Sequence, residues 1–350
     1  NALTLLAYTR SWIEAEPRSP VAWEAHAAVL ETVGRIAASG GPESSASGAV
    51  QQAIALTSVQ ESRVRLFTRE VILRVKRGEF DSASRLADSV LANTPDSIGT
   101  LNLLPLTALS GKLERMAVLL QRKQENWMPI VAAQYNLMPD LIATVAEMFA
   151  HAALGDCSAA NARLENTFNN QLESYVTADK RQQVYPILTS RTFSLLTPCT
   201  GGASSTKITN PENLLYRLQQ AYAKRNMRDF RMLSDSLEKI RAGSRPGDRP
   251  ADFTYQEAWL LAATGDTAAA IKKLDLALNA LPSMSSFTLA QPAAAAALGR
   301  MMTLRAEIAA AKGDQATARR WSQAVVDLWS FASKSMQPTV ARMRQIGSAR

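Results

Sequence analysis

The chain has 350 residues, of which 47% are hydrophobic and 20% are charged, and its formal net charge is +8. The composition excludes collagen-like, disulfide-dense and wholly disordered chains, and the length is sufficient for a large core or about two domains. The hydrophobic residues are mostly Ala and Leu, which favour helices, while aromatic residues make up only 6% of the chain. We therefore expect an all-α protein.

Helical periodicity continues along the whole sequence, and no stretch shows the sustained alternation of polar and apolar residues that is typical of a strand. We predict helices throughout and essentially no β-sheet. The predicted helices, in chain order, cover residues 2–15, 20–38, 48–57, 61–76, 80–93, 97–109, 112–125, 138–153, 157–170, 172–196, 211–224, 227–242, 252–263, 267–280, 291–311, 315–333 and 337–346.

Three segments rich in Gly, Pro and Ser or other polar residues interrupt this pattern and predict loops. Ser39–Gly48 is predicted to be a flexible insertion, Thr197–Pro211 a long polar connection, and Ala242–Ala251 a hinge. The long connection divides the chain into two helical regions, the second of which ends in a capping helix. The predicted domains are an N-terminal repeat region over residues 1–196, a linker over 197–211 and a C-terminal repeat region over 212–350.

A spacing pattern recurs after small turn residues. Gly78 and Gly265 are each followed by small or apolar residues at +5, +9 and +12 and by a proline at +17, and shorter versions follow Gly111, Gly155 and Gly313. Positions +5, +9 and +12 share one face of a helix with 3.6 residues per turn, and an Ala at +5 lets this helix lie close to the preceding one. The glycine ends the first helix in a conformation that is costly for other residues, and the proline stops the second.

Three segments resemble the tetratricopeptide repeat family: SPVAWEAHAAVLE (Ser19–Glu31), RGEFDSASRLADSVLANTP (Arg77–Pro95) and TGDTAAAIKKLDLALNALP (Thr264–Pro282). The step from Gly78 to Gly111 is 33 residues, close to the family period of about 34. The steps from Gly111 to Gly155 and from Gly265 to Gly313 are 44 and 48 residues. The resemblance therefore implies an irregular tetratricopeptide-like α-solenoid of antiparallel helix pairs, with insertions.

A second resemblance concerns Asp252–Ile346, which is similar to the repeat-bearing C-terminal region of some bacterial membrane-anchored Ser/Thr kinases. It implies a sensor or scaffold on the extracytoplasmic or cytoplasmic face of a membrane protein. The sequence begins with Asn1 rather than Met, so we expect a processed chain or a fragment. No apolar run approaches the roughly 20 residues that span a bilayer, so we expect no membrane insertion in this segment.

Signatures of enzymes and of cofactor sites are missing from the sequence. There is no GxSxG, HExxH, GxxxxGK[ST] or strand-linked GxGxxG, and the kinase catalytic elements are absent. Cys157 and Cys199 do not form a CxxC motif, and only His26 and His151 could join them, so we expect no metal and no cofactor. The two cysteines either form a disulfide in an oxidising compartment or remain separate thiols, which their geometry decides.

The C-terminal end is basic. Residues 300–350 carry nine Lys or Arg residues against three acidic ones. Such an excess can attract nucleic acid or anionic lipid. Because the basic residues are interspersed with Ala and Met, and no aromatic-rich strand accompanies them, the pattern favours a solvated helix face over a nucleic-acid interface.

The first resemblance implies that the first helix of each pair lines a concave groove that binds a protein or peptide. Groove-facing positions lie one residue after the first large anchor and again four or five residues later, and aromatic and Arg residues there are the types that dominate binding hot spots. As an alternative, Phe149, Tyr222 and Trp259 are ordinary core residues at helical spacing. The candidate groove residues are Arg65, Asn102, Phe149, Tyr222, Arg225, Tyr255, Trp259 and Arg300.

These features together predict a non-enzymatic interaction module or scaffold that binds a protein or peptide partner. Three alternatives stay open at this point. The chain could be a structural subunit of a homo- or hetero-assembly, the sensor region of a membrane-anchored kinase, or an all-helical enzyme. The last would need two carboxylates that face each other across a pocket.

Overall fold

The fold of the protein is given by a computed structural model. The structure describes residues 2–37, 40–95, 100–116, 118–119, 214–243, 247, 249 and 251–349, together with the isolated positions 158 and 162. Within these residues the regular secondary structure is entirely helical, and no strand occurs among them. The predicted all-α class is confirmed.

The helices are short, and most are joined by tight turns. Three 3₁₀ turns, Pro42–Ser44, Leu281–Ser283 and Lys334–Met336, lie between them. The α-helices are α1 (Ala2–Ala15), α2 (Pro20–Thr32), α3 (Ala46–Leu56), α4 (Gln60–Lys76), α5 (Phe80–Asn93), α6 (Thr100–Leu109), α7 (Leu214–Ala223), α8 (Met227–Arg241), α9 (Ala251–Ala263), α10 (Thr267–Asn279), α11 (Ser286–Leu289), α12 (Pro292–Ala311), α13 (Gln315–Leu328) and α14 (Gln337–Ser348).

The turns between paired helices use the chemistry that the sequence pattern predicts. Gly78, Gly111, Gly265 and Gly313 all have φ between +67° and +86°, the left-handed region that glycine adopts at little cost. The residue after two of these glycines caps the next helix. The Asp266 side chain accepts a hydrogen bond from the backbone N–H of Ala269, and Asp314 does the same for Thr317.

Consecutive helices pack against each other, and the small residues of the pattern lie inside these contacts. Helices α4 and α5, α9 and α10, and α12 and α13 are in contact. Ala83, Ala270 and Ala318, each five residues after a turn glycine, are completely buried in the second helix of their pairs. Ala160, the corresponding residue after Gly155, lies outside the described residues.

Distant parts of the sequence also share one core. Helix α12 packs against α6 and α9, and α13 packs against α5. One hydrophobic cluster runs from Val64 to Met343 and includes side chains from both predicted domains. A smaller cluster joins α1, α2, α3 and one side of α4. The helix pairs therefore do not touch only their neighbours in sequence, as strict nearest-neighbour stacking would require.

The boundaries of several predicted elements are wrong, and the helix predicted over 315–333, for example, ends at Leu328. The second helix ends at Thr32 rather than at residue 38, because Gly34 has a φ of +79° and the Arg35 N–H bonds to the carbonyl of Leu30 at 2.8 Å. This is the hydrogen-bond pattern of a glycine C-cap. The predicted loop Ser39–Gly48 contains a 3₁₀ turn and the first residues of α3, which the Ser45 side chain caps.

Candidate functional site

A cavity of about 930 Å³ lies between α2, α4, α6 and the segment that connects α10 to α12. Each of the three helices is followed by a glycine with positive φ, namely Gly34, Gly78 and Gly111. Helices α2 and α4 each pack against the helix that follows them, α3 and α5. A cavity of this size falls within the range of about 300–1,000 Å³ that ligand pockets occupy.

The cavity wall follows one face of each helix. On α4, Arg65, Arg69, Ile72 and Lys76 recur at intervals of three or four residues and therefore share a face. On α2, Glu24, Ala28 and Glu31 have the same spacing. Helix α6 contributes Asn102 and Pro105, and the connecting segment contributes residues that include Met284, Ser286 and Phe287.

Glu31 is the centre of a buried ion network on one wall. Its carboxylate lies 2.6 Å from the Lys76 ammonium and 3.1 Å from the Arg69 guanidinium, and it accepts the backbone N–H of Ser286 at 2.9 Å. Only 1% of the Lys76 side chain is exposed. Burial raises the pKa of Glu31, but the hydrogen bonds and the positive charges of its partners outweigh this and hold it below the ordinary value.

A second ion pair lies nearer the solvent. Arg65 is paired with Glu24, and about half of the Arg65 side chain is exposed. Burial of the rest lowers the pKa of Arg65, and the positive charge of Arg69, one turn further along α4, lowers it again. The two guanidinium groups therefore repel each other at the cavity wall.

The structure brings two of the predicted groove residues to this cavity. Arg65 and Asn102 both line it, from neighbouring helices. The Asn102 carbonyl oxygen accepts a hydrogen bond from the Thr68 hydroxyl at 3.1 Å, which ties α6 to α4 at the cavity wall. The groove positions that the sequence nominates on α4 and α6 thus share one space.

Four other candidates form a separate group on α7, α9 and α12. The rings of Tyr222 and Trp259 meet edge to face, with centroids 5.9 Å apart. The Arg300 guanidinium lies 6.0 Å from the centroid of the Tyr255 ring, which is buried. All three aromatic residues pack against the main hydrophobic cluster or belong to it. This placement agrees with the core alternative for Tyr222 and Trp259.

The last two candidates lie elsewhere. Arg225 occupies the turn between α7 and α8, with a φ of +53° that is uncommon for a residue with a side chain. It thus takes the place that glycine holds in the other turns. Phe149 lies outside the described residues, as do Cys157, Cys199 and His151.

Most of the charged cavity residues are absent from the sequence-based candidates. Glu24 and Glu31 on α2, and Arg69 and Lys76 on α4, are spaced by seven residues, which places each pair on one helix face. That spacing is a usable signal for a charged lining. The contribution of Ser286, more than 200 residues away in sequence, has no counterpart in any local pattern.

A second cavity, of about 570 Å³, lies between α8 and α10. At its side Lys273 lies 2.9 Å from the buried carboxylate of Glu257 and also pairs with Glu238. Hydrogen bonding to Lys273 and the charges of Lys273, Arg249 and Arg241 lower the pKa of Glu238 despite its burial. Lys273, Glu238 and Glu257 therefore pair with one another, and α8 and α10 are each the second helix of their pair.

Other kinds of site find no support in the part of the chain that is described. No group of three or more His, Cys, Asp or Glu side chains there could hold a metal ion. Among the same residues, no helix is both long and apolar enough to cross a bilayer. No family model, curated protein or solved structure matched the chain.

Proposed function

We propose that the chain is a non-enzymatic interaction module, an irregular tetratricopeptide-like solenoid in which some helix pairs also contact pairs distant in sequence. It binds a protein or peptide partner in the cavity between α2, α4 and α6. The observation that supports this proposal is the convergence of α2, α4 and α6 on one cavity. Arg65 and Asn102, nominated as groove residues, both line that space. A lining that mixes ion pairs with Ile72, Pro105 and Phe287 suits a polypeptide, which presents charged and apolar groups together.

The electrostatics of the cavity favour binding over acid–base catalysis. A general acid of the glycosidase type needs a carboxyl group with a raised pKa opposite a second carboxylate. Glu31 has a lowered pKa, and Glu24 is paired with Arg65. The two carboxylates also lie on the same helix, two turns apart, rather than across the cavity from each other.

The proposal is tested by selecting random displayed peptides on the intact chain and measuring their affinity for two Trp variants. Ala28→Trp places a large ring in the cavity from an exposed position of α2. Ala7→Trp makes the same change at an exposed position of α1 that does not line the cavity. We expect the selected peptides to lose at least tenfold in affinity for Ala28→Trp and to bind Ala7→Trp as they bind the wild type.

Two results would refute the proposal. One is that no peptide is selected. The other is that selected peptides bind both variants with unchanged affinity, which would place the binding surface elsewhere. Circular dichroism of each variant checks that the added ring leaves the helical content intact.

A further inference from the structure

The segment that connects α10 to α12 contributes an exposed aromatic ring to the cavity. Phe287 lines the cavity and is 75% exposed, the highest value among the large hydrophobic residues in the part of the chain that is described. The chain on either side of this residue is anchored, because Met284 and Leu289 are buried in the main hydrophobic cluster. The exposed ring is therefore carried by a fixed support and not by a free loop tip.

Two hydrogen bonds also hold the short helix α11 at this wall. The Ser286 N–H donates to the Glu31 carboxylate of α2 at 2.9 Å, and the Ser285 hydroxyl oxygen accepts the Phe287 N–H at 3.2 Å. Helix α11 packs against α4 as well. These contacts fix the backbone of Phe287 relative to α2 and α4, which form other walls of the cavity. A group that is already held in place loses little conformational freedom when a partner binds.

The ring comes from a stretch of sequence that the repeat pattern does not account for. The step from Gly265 to Gly313 is 48 residues, whereas the period of the tetratricopeptide repeat family is about 34. Residues 280–291 lie within this longer step. Phe287 is therefore not one of the groove positions that the family resemblance nominates, and any contact that it makes is specific to this chain.

The electrostatics of the cavity favour an uncharged group beside the ring. Both carboxylates that α2 contributes in the described part of the chain, Glu24 and Glu31, already have cations of α4 as partners. A charged ligand group has to lose its water and compete with these pairs. An apolar ligand group instead removes the exposed ring of Phe287 from water, which is favourable without any new ion pair.

We infer that the cavity binds a large apolar side chain, aliphatic or aromatic, of the partner segment, and that Phe287 is its principal contact. This side chain covers the ring and lies beside Ile72 and Pro105, which line the same cavity from α4 and α6. Aromatic residues in such positions are typical binding hot spots. The inference rests on the proposed function, because it specifies what the same cavity recognises.

The test uses the peptides that display selects on the wild-type chain, synthesised with an acetylated N-terminus and an amidated C-terminus. Each peptide position is replaced by Ala in turn. We expect one large apolar position at which Ala lowers the affinity for the wild-type chain at least tenfold. Glu and Lys at that position should bind no more tightly than Ala, because neither covers the ring without losing hydration.

Variants of the chain then locate the contact. Phe287→Ala should lower the affinity of the unchanged peptide at least tenfold, and the Ala peptide should lose only about twofold further, because both changes remove the same contact. Phe287→Leu should restore part of the affinity. Phe331→Ala removes a ring that is 43% exposed and does not line the cavity, so it should bind the peptides as the wild type does. Circular dichroism checks that each variant keeps its helical content.

The outcomes separate this inference from the proposed function. Peptides whose binding is abolished by Ala28→Trp but unchanged by Phe287→Ala overturn the apolar contact and leave peptide binding in the cavity in place. Peptides that depend on a charged position and on no apolar one overturn it in the same way. Independent losses from Phe287→Ala and from the Ala peptide also overturn it, because the two groups then do not touch. Failure of all peptides to bind removes both the inference and the proposed function.

Discussion

Two regions of the molecule, one at each end of α6, differ in how closely their helices pack. At the C-terminal end of α6 the helices close on Trp329, which is 3% exposed. Its indole N–H donates to the carbonyl of Leu109 at 3.0 Å, and the ring lies against Gly111 and Gly299. Glycine has no Cβ, so backbone and ring approach closely and the contact excludes water.

At the other end of α6, near Asn102, charged side chains of α2 and α4 occupy the contact instead, and a cavity of about 930 Å³ remains between the helices. Long charged side chains cannot interlock as tightly as small and aromatic ones, and each charge needs a partner. The comparison indicates that small residues allow close packing at the C-terminal end of α6, while ion pairs leave a cavity at its other end. Substitutions at each end should therefore fail in different ways.

The largest effect is expected at the closed end. Trp329→Ala removes a buried ring that joins α6, α12 and α13, and leaves the carbonyl of Leu109 without its donor. We expect a loss of about 3–5 kcal/mol in the free energy of unfolding, measured by urea denaturation. Phe331→Ala, at a residue two positions away that is 43% exposed, should cost about 1 kcal/mol or less. Equal losses would contradict the closed-end assignment.

The next effect concerns the buried ion network at the open end. Lys76→Met leaves Glu31 with Arg69 and the Ser286 N–H as partners, and should cost about 2–3 kcal/mol because a buried charge loses a direct partner. The double variant with Glu31→Leu removes both charges and should recover most of this loss. Additive losses in the double variant would show that the two residues do not act as a pair.

Overpacking at the closed end gives a smaller change. A Cβ at Gly299 would lie 2.3 Å from Cζ2 of Trp329, so Gly299→Ala must displace the ring. We expect a net cost of about 1–2 kcal/mol, since the better helix propensity of Ala offsets part of the strain. Gly243→Ala, where a Cβ meets nothing within 4 Å, should be nearly neutral, and urea denaturation of both variants measures the difference.

The comparison also shows what the sequence could predict. The turn glycines, the buried alanines at +5 and the all-α class follow from periods of 3.6 residues and from backbone preferences, which are local. Arg65 and Asn102 were nominated through the resemblance to the tetratricopeptide repeat family. Trp329 was predictable as part of a helix, but its partners Gly111 and Gly299 come from different parts of the chain, and no local rule pairs them.

The charged side chains that line the cavity between α2, α4 and α6 were not predicted, for a different reason. Glu31 and Lys76 stand in segments that are amphipathic in the ordinary way, and charged residues at helical spacing usually indicate a solvated face. Lys76 is buried and only 10% of the Glu31 side chain is exposed, and the Ser286 N–H that completes the network comes from a segment more than 200 residues away, brought there by tertiary packing. The early end of α2 is similar, because Gly34 alone did not distinguish a C-cap from a tolerated helix glycine.

The smallest predicted effect is a pH dependence of stability that has opposite signs at two carboxylates, Glu31 and Glu307. The pKa of Glu31 is lowered in the folded chain, so its ionised form stabilises the fold above the unfolded value of 4.5, and this contribution is lost as the pH falls through the folded pKa. The stability difference between wild type and Glu31→Gln should therefore be largest near neutral pH and shrink below pH 4.5. Glu307 gives the opposite sign, because burial raises its pKa despite the charge of Arg342. Glu307→Gln should be better tolerated at neutral pH than in acid, and matching profiles for the two variants would contradict the assignment of Glu31 to a stabilising network.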